Sequence, residues 1–282
     1  MNILVTGGAG FIGTNLIKRL LKDGHNVVSL DNYSTGKEEN HQEGCTYHDV
    51  DIRDAVSFDF FMENPDVIYH LAALPRIQPS FEYPALTLEV GILATMSILE
   101  WAREKKCKVI YAGSSSVHSG KYKNPYTFSK VIGDELCMMY KKIYGVDVSI
   151  CRFYNVYGPH QLTEGDYCTV VGIFEKQYQN GEPLTITGDG FQRRDFTHVN
   201  DIVDGLILTS ENETCWDEIE LGRGSNYSIN ELASMFNCET KYIDERPGEA
   251  RETLCDTLTS ERLIGYEPKV NIEDYVKEIT NG

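Results

Sequence analysis

The sequence opens on a short apolar strand, Asn2-Ile-Leu-Val-Thr6, that runs straight into glycines at positions 7, 10 and 13. Glycines at that spacing let the backbone turn sharply and approach a pyrophosphate, which then rests on the amino end of the following helix, expected over 11–22. A tight turn between a buried strand and a packed helix also needs glycines, so the cluster gains weight only from its surroundings. A strand precedes it, a helix follows, and a second apolar strand, Asn26-Val-Val-Ser-Leu30, ends in Asp31. A carboxylate there accepts both hydroxyls of an adenosine ribose and repels a 2'-phosphate, which favours NAD over NADP. The opposing reading is a structural glycine turn with a solvated acid.

The periodicity then alternates. Strands are expected at 45–48, 66–72, 107–113 and 146–153, with helices over 84–105 and 126–144. Strands apolar on both faces and separated by helices imply a parallel sheet covered on both sides. The expected class is α/β, a doubly wound, Rossmann-type parallel sheet that binds ligands at the carboxyl ends of its strands. Past Asn155, glycine and proline punctuate shorter elements, including a helix over 169–179 and one capped by Asn200-Asp201 that runs to Thr209. Further helices are expected over 230–236, over 257–264 and from 272 onward, with a strand at 241–244. Residues 1–155 are expected to be mainly the dinucleotide-binding domain. Residues 156–282 form a smaller, interleaved C-terminal α/β substrate-binding domain, with about 196–220 returning to the first.

A chain of 282 residues can bury such a core, and its net charge of −17 argues against a nucleic-acid surface. A small anionic ligand needs only a few local arginines. No apolar run approaches the roughly 20 residues of a membrane span, and the first residues read as core strand rather than a leader, so a cytoplasmic protein is expected. The eight cysteines, at 45, 107, 137, 151, 168, 215, 238 and 255, form no CxxC pair. They read as small hydrophobes in a reducing compartment, and no metal site is expected.

The chemistry is expected where the fifth and sixth strands end. Tyr126 and Lys130 lie four residues apart, on one face of a helix. A lysine ammonium beside a phenol favours the phenolate, as does a positive nicotinamide ring, so Tyr126 is a candidate general base. Ser114-Ser-Ser116 follows the fifth strand and aims at least one hydroxyl at the same crevice. A YxxxK spacing alone is common; without the nucleotide fold it would be an exposed tyrosine beside a solvated lysine.

With these residues in order, the sequence resembles the extended short-chain dehydrogenases/reductases, in particular the nucleotide-sugar epimerase group around UDP-glucose 4-epimerase. The resemblance covers nearly the whole chain: the N-terminal glycines, Asp51-Ile52, His70-Leu-Ala-Ala73, Ser114-Ser-Ser-Val117, Tyr126 with Lys130, Arg152-Phe-Tyr-Asn-Val-Tyr-Gly-Pro159, Gly188-Asp-Gly-Phe-Gln-Arg-Arg-Asp-Phe196 and Arg246-Pro-Gly-Glu249. It implies a pyrophosphate turn at Gly7, Gly10, Phe11, Ile12 and Gly13, ribose contacts at Asp31 and Asn32, and adenine contacts at Asp51 and Ile52. Leu71, Ala72 and Ala73 match the segment that passes along the NAD, where Tyr126 and Lys130 also reach it. Ser114 matches the catalytic Ser/Thr, with Ser115 or Ser116 as the fallback register, and Asn155 matches a substrate contact. Arg194 and Arg246 match the arginines that hold a nucleotide diphosphate, while Glu249 lies where an acid contacts the bound nucleotide sugar. Ordinary ion pairing is the plain alternative for these arginines in so acidic a chain.

The implied reaction is an NAD-dependent 4-epimerisation of a UDP-hexose or UDP-N-acetylhexosamine through a transient 4-keto sugar, with UDP preferred over GDP, CDP or dTDP. Related 4,6-dehydratases place Asp-Glu after the catalytic Ser/Thr, and UDP-glucuronate decarboxylases place Glu second; Ser115-Ser116 stand there instead. The alternatives are a dehydratase, decarboxylase or reductase of the same superfamily, or a catalytically impaired NAD and nucleotide-sugar binder. Three departures from the family pattern bear on activity. Only twelve positions separate Ser114 from Tyr126, about half the usual number, which predicts a more open pocket. Gly91 replaces a helical asparagine, and His118 a tyrosine. Thr253, near a position that is a bulky tyrosine in glucose-specific relatives, leans toward 2-acetamido sugars, and Pro75-Arg76 is expected near the sugar or its carboxylate, or in a surface loop. A homodimer through 84–105 and 126–144 is also implied, with Leu86, Val90, Leu93 and Ile98 available either to it or to the core.

Overall fold

The computed structural model describes residues 1–54, 58–214 and 216–281. Its strands in chain order are β1 (Asn2–Thr6), β2 (Asn26–Asp31), β3 (Cys45–Asp49), β4 (Val67–His70), β5 (Lys108–Ser114), β6 (Val148–Phe153) and β7 (Val156–Tyr157). There follow β8 (Leu184–Thr187), β9 (Arg193–Asp195), β10 (Thr197–His198), β11 (Glu218–Leu221), β12 (Asn226–Ser228) and β13 (Thr240–Ile243). Seven of them make one sheet in the order β11-β6-β5-β4-β1-β2-β3, every neighbouring pair parallel. The strand order reverses between β1 and β4, which opens a crevice at their carboxyl ends.

Alternation along β1 shows how the sheet is covered. Leu4 packs on one face with Ile68, Ile98, Leu99, Val109 and Tyr140; Ile3 and Val5 pack on the other with Leu16, Ile17, Ile202 and Leu206. The second face is roofed by α1 (Phe11–Lys22). The first carries α4 (Ala94–Lys105) and α5 (Pro125–Tyr144), with α2 (Ile77–Glu82) and α3 (Pro84–Leu88) packed on α5. A third apolar cluster, including Phe174, Ile186, Phe196 and Phe236, lies outside the sheet among later elements. These are α6 (Val170–Gln179), α7 (Val199–Glu211), α8 (Ile229–Met235), α9 (Thr257–Ile264) and α10 (Ile272–Asn281), of which α7 returns to the second face of the sheet.

Several expectations are corrected. β11 adds a seventh strand: its exposed and half-buried glutamates alternate with fully buried Ile219 and Leu221, an edge-strand pattern too short to register alone. The α7 cap is His198, whose Nδ1 accepts the Asn200 N–H at 3.1 Å; Asp201 instead accepts the Lys269 and Val270 N–H groups at 2.9 and 3.1 Å. The helix over Pro84–Lys105 contains a π-turn, Glu89–Leu93, and its 22 residues are long and apolar enough to cross a membrane by length and composition. Polar residues such as Thr87, Thr95 and Ser97 hide that property from a search for unbroken apolar runs, and the helix packs here on α5 and the sheet. Ile98 is a core residue, Leu86 and Val90 line the cleft, and Leu93 is exposed. Cys107, Cys137, Cys151 and Cys255 are buried; Cys45, Cys168 and Cys238 are half-buried, and Cys215 lies outside the described residues.

Candidate active site

A cleft of about 580 Å³ runs along the carboxyl ends of the strands, and every candidate cofactor, catalytic and substrate residue lines it. The turn after β1 explains its glycines. Gly7 has φ 74°, and a Cβ there would meet Ala72 at 2.9 Å; at Gly13 a Cβ would fall 2.2 Å from the Gly7 carbonyl oxygen. The backbone is therefore closed on itself with room for a ligand but none for side chains. The segment 71–73 crosses over this turn. It is fixed by the Ala72 N–H donating to Thr6 Oγ1 at 3.2 Å, with Thr6 Oγ1 2.8 Å from His70 Nδ1 and His70 Nε2 3.1 Å from Thr95 Oγ1. Burial lowers the His70 pKa to about 3, so the imidazole bridges these hydroxyls uncharged.

At the end of β2 the two Asp31 oxygens accept the Ala9 and Tyr33 N–H groups at 2.9 and 2.8 Å, which orients the carboxylate beside the turn. Burial raises its pKa, and these backbone donors oppose the rise. Asn32 Nδ2 donates to Asp51 Oδ2 at 3.0 Å. Arg53, which the sequence did not single out, holds both Asp51 oxygens at 2.9 and 2.7 Å and lowers its pKa to about 2. This arrangement fits the adenosine half of NAD: a side-chain-free turn for the pyrophosphate, an oriented acid for the ribose, and a polar pair at the far end.

The catalytic candidates meet where β5 ends and α5 begins. Asn124 caps α5 by accepting the Thr127 N–H at 2.7 Å, and the Tyr126 N–H donates to Ser80 Oγ of α2 at 3.2 Å. Ser114 is the serine of the register whose hydroxyl acts on the Tyr126 phenol to lower its pKa, and its Oγ donates to Ser116 Oγ at 3.0 Å. The electrostatics differ from the sequence expectation. Burial raises the Tyr126 pKa, and what opposes it is the Ser114 hydrogen bond and the Arg76 guanidinium. Lys130 instead donates to the Ala112 carbonyl at 2.8 Å and stands over the Tyr111 ring, its pKa lowered by burial to about 8.

On the opposite wall, Asn155 Nδ2 donates to the Asp195 carbonyl at 3.2 Å and to Thr253 Oγ1 at 3.0 Å. Arg194 and Glu249 are brought together as an ion pair at 3.3 Å, and Arg246 is exposed at the rim. Gln78 Nε2, Lys123 Nζ and Asn124 Nδ2 donate to the carbonyls of Pro247, Glu249 and Gly248 at 2.9, 2.8 and 3.2 Å, so α2 and the short loop before α5 together grip the segment carrying Arg246 and Glu249.

The three departures also have physical accounts. A second cavity of about 420 Å³ adjoins the cleft, with Ser115, Tyr154, Ala250 and Thr253 lining both. His118 lines this second cavity and bonds Glu220 at 2.6 Å. His118, Glu218 and Glu220 are close enough to share a cation, but Arg152 already bonds Glu218 at 2.7 Å and stands 3.8 Å from Glu220. Gly91 sits in the π-turn, where a Cβ would strike Ser129 Cβ at 2.7 Å; the missing side chain is space that Ser129 occupies.

Known proteins share this architecture. The structure of Thermotoga maritima UDP-glucose 4-epimerase with UDP-glucose is similar at a TM-score of 0.92 and 29% identity, over 100% of this chain and 98% of that one. UDP-glucose 4-epimerase of Mycolicibacterium smegmatis is 31% identical over 300 residues, 97% of this chain and 96% of the relative. UDP-glucuronic acid decarboxylase 1 of Xenopus tropicalis is 29% identical over 297 residues, 96% of this chain and 69% of the relative. Residues 3–222 match the sequence pattern of the NAD dependent epimerase/dehydratase family, and this chain belongs to that family.

Proposed function

We propose that this protein is an NAD-dependent 4-epimerase of a UDP-linked sugar. The observation that carries the reading is Tyr126, Ser114 and Lys130 lining one cleft continuous with the glycine turn, with serines, not acids, at 115 and 116. NAD, when bound, supplies a reversible hydride acceptor for the sugar C4. Tyr126 takes the proton of the C4 hydroxyl, and Ser114 holds that oxygen in line with the phenol. Lys130, anchored by the Ala112 carbonyl, places a cation at the cofactor side of Tyr126. Arg194, with Arg246 at the rim, holds the diphosphate by charge-assisted hydrogen bonds. Gripping the nucleotide leaves the 4-keto sugar free to turn about its bond to the diphosphate and present its other face, and Tyr126 then returns the proton to the inverted C4 oxygen. Ser116, engaged with Ser114, supplies neither acid nor base for elimination.

The test is to incubate the protein with UDP-sugars and catalytic NAD and follow the products by NMR. A 4-epimer at constant total nucleotide sugar is expected, and Tyr126→Phe should slow it by about a hundredfold to ten-thousandfold while melting and UDP affinity are kept. Turnover unchanged in a folded Tyr126→Phe protein would sink the proposed base.

A further inference from the structure

Arg76 is the one cation of the inner cleft that the proposed mechanism leaves without a task. It precedes α2, its backbone is extended, and its Nε donates to the Tyr167 carbonyl at 3.0 Å, which fixes the side chain across the cleft. Among the described residues, no carboxylate stands within 4.0 Å of it. The contrast with Arg152 is instructive. That guanidinium, fully buried where Arg76 is half-buried, is matched by Asp134 at 2.8 Å and Glu218 at 2.7 Å. Burial lowers the Arg76 pKa, and Tyr126, Cys168 and the Glu249 carboxylate, which makes its ion pair with Arg194 instead, oppose the fall. A half-buried cation with no ion pair of its own is placed to meet an arriving anion.

The position of Arg76 selects the anion. Its charge acts directly on the Tyr126 phenol, and Tyr126 with Ser114 marks where the sugar C4 must lie. Arg194 sits apart on β9, already engaged with Glu249, and serves the diphosphate. Of the two carbons next to C4, C3 carries a hydroxyl and C5 carries the group that differs between hexoses and hexuronic acids, so a C5 carboxylate would lie near Tyr126, within the reach of a guanidinium held there. A neutral hexose offers the same place only a hydroxyl. We propose that Arg76 is a specificity-determining residue that binds the C5 carboxylate of a nucleotide-linked hexuronic acid. The inference rests on the nucleotide-sugar reading and narrows it to acidic sugars.

The test is calorimetric binding of UDP, UDP-glucose and UDP-glucuronate, in the presence of NAD, to the wild type, Arg76→Gln and Arg76→Lys, each first checked for its melting transition. Wild type should bind UDP-glucuronate about tenfold to a hundredfold more tightly than UDP-glucose, the range of one charge-assisted contact. Arg76→Gln should collapse that ratio toward one, and Arg76→Lys should restore part of it, which a merely structural arginine would not do. Equal wild-type affinity for the two sugars overturns the inference and leaves the nucleotide-sugar reading standing. A parallel loss of affinity for UDP itself in Arg76→Gln also overturns it, because the arginine would then belong to the diphosphate. Absence of UDP binding by the wild type overturns the nucleotide-sugar reading and this inference with it. If Arg76→Gln fails to fold, the wild-type ratio and Arg76→Lys decide the question.

Discussion

On the cofactor side of the cleft, backbone packs against backbone, whereas on the substrate side side chains meet side chains. Gly7 and Gly13 close on each other and on Ala72, and backbone N–H groups donate to Thr6 and Asp31 to hold the turn and its neighbours. Arg194 and Glu249, by contrast, meet through their side chains at 3.3 Å, and Asn155 and Thr253 at 3.0 Å. The cofactor wall is a shape enforced by sterics, so few substitutions are compatible with it. The substrate wall is a set of charges and hydrogen bonds that can be exchanged one at a time, and this is the half in which relatives with different sugars can diverge.

The largest effect should therefore come from adding a single methyl group to the backbone-built wall. In Gly13→Ala the new Cβ would lie 2.2 Å from the Gly7 carbonyl oxygen, and both partners are main chain. Relief requires the turn to open, with a stability cost of about 1–3 kcal/mol. NADH affinity, followed by its fluorescence, should fall by roughly a hundredfold or more, which is about 2.7 kcal/mol. UDP affinity should change far less. Equal loss of both ligands would break the comparison, because it would mean that the two walls are not mechanically separate.

The same contrast explains what the sequence made legible. The bounds of α1 follow from the glycine turn at one end and from the basic last turn, Arg19 and Lys22, at the other. The strands of the central sheet other than β3 and β11 are mainly apolar runs, and their parallel order follows from the helices between them. The reason for glycine at 91 was illegible because the side chain that fills its space is Ser129 on another helix, 38 positions away. Arg53 was missed although it stands two residues from Asp51, since a loop arginine carries no signal until its partners fold around it. The Arg194 and Glu249 assignments came from resemblance alone, and only the fold shows that they pair with each other. Tyr126 and Lys130 were found from their spacing, but the burial that raises one pKa and lowers the other is a property of the cleft.

An intermediate effect is expected on the substrate wall. Arg194→Ala removes charge-assisted donors and should weaken UDP binding by about tenfold to a hundredfold, leaving NADH binding close to wild type. It also frees the Glu249 carboxylate to repel the diphosphate. Glu249→Gln in the Arg194→Ala background should then recover part of the lost affinity, and the double-mutant cycle separates the lost attraction from the exposed repulsion. No recovery would mean that Glu249 faces away from the ligand and the pair is structural.

The smallest effect tests how far the side-chain logic extends, at His118 beside the second cavity. Glu220 raises the His118 pKa above 6.5, chiefly by accepting its hydrogen bond. A group whose folded pKa is raised lends its stability fully below the unfolded value and loses it as the pH climbs through the folded one. The melting difference between wild type and His118→Ala should accordingly be largest below pH 6.5 and fade as the pH rises above it. Because the His118 side chain is 53% exposed, solvent screens the pair, and the whole contribution should stay below about 1 kcal/mol. A difference that grows toward high pH would show that His118 is held by packing rather than by charge. The shortened loop would then be fixed the way the cofactor turn is, by shape.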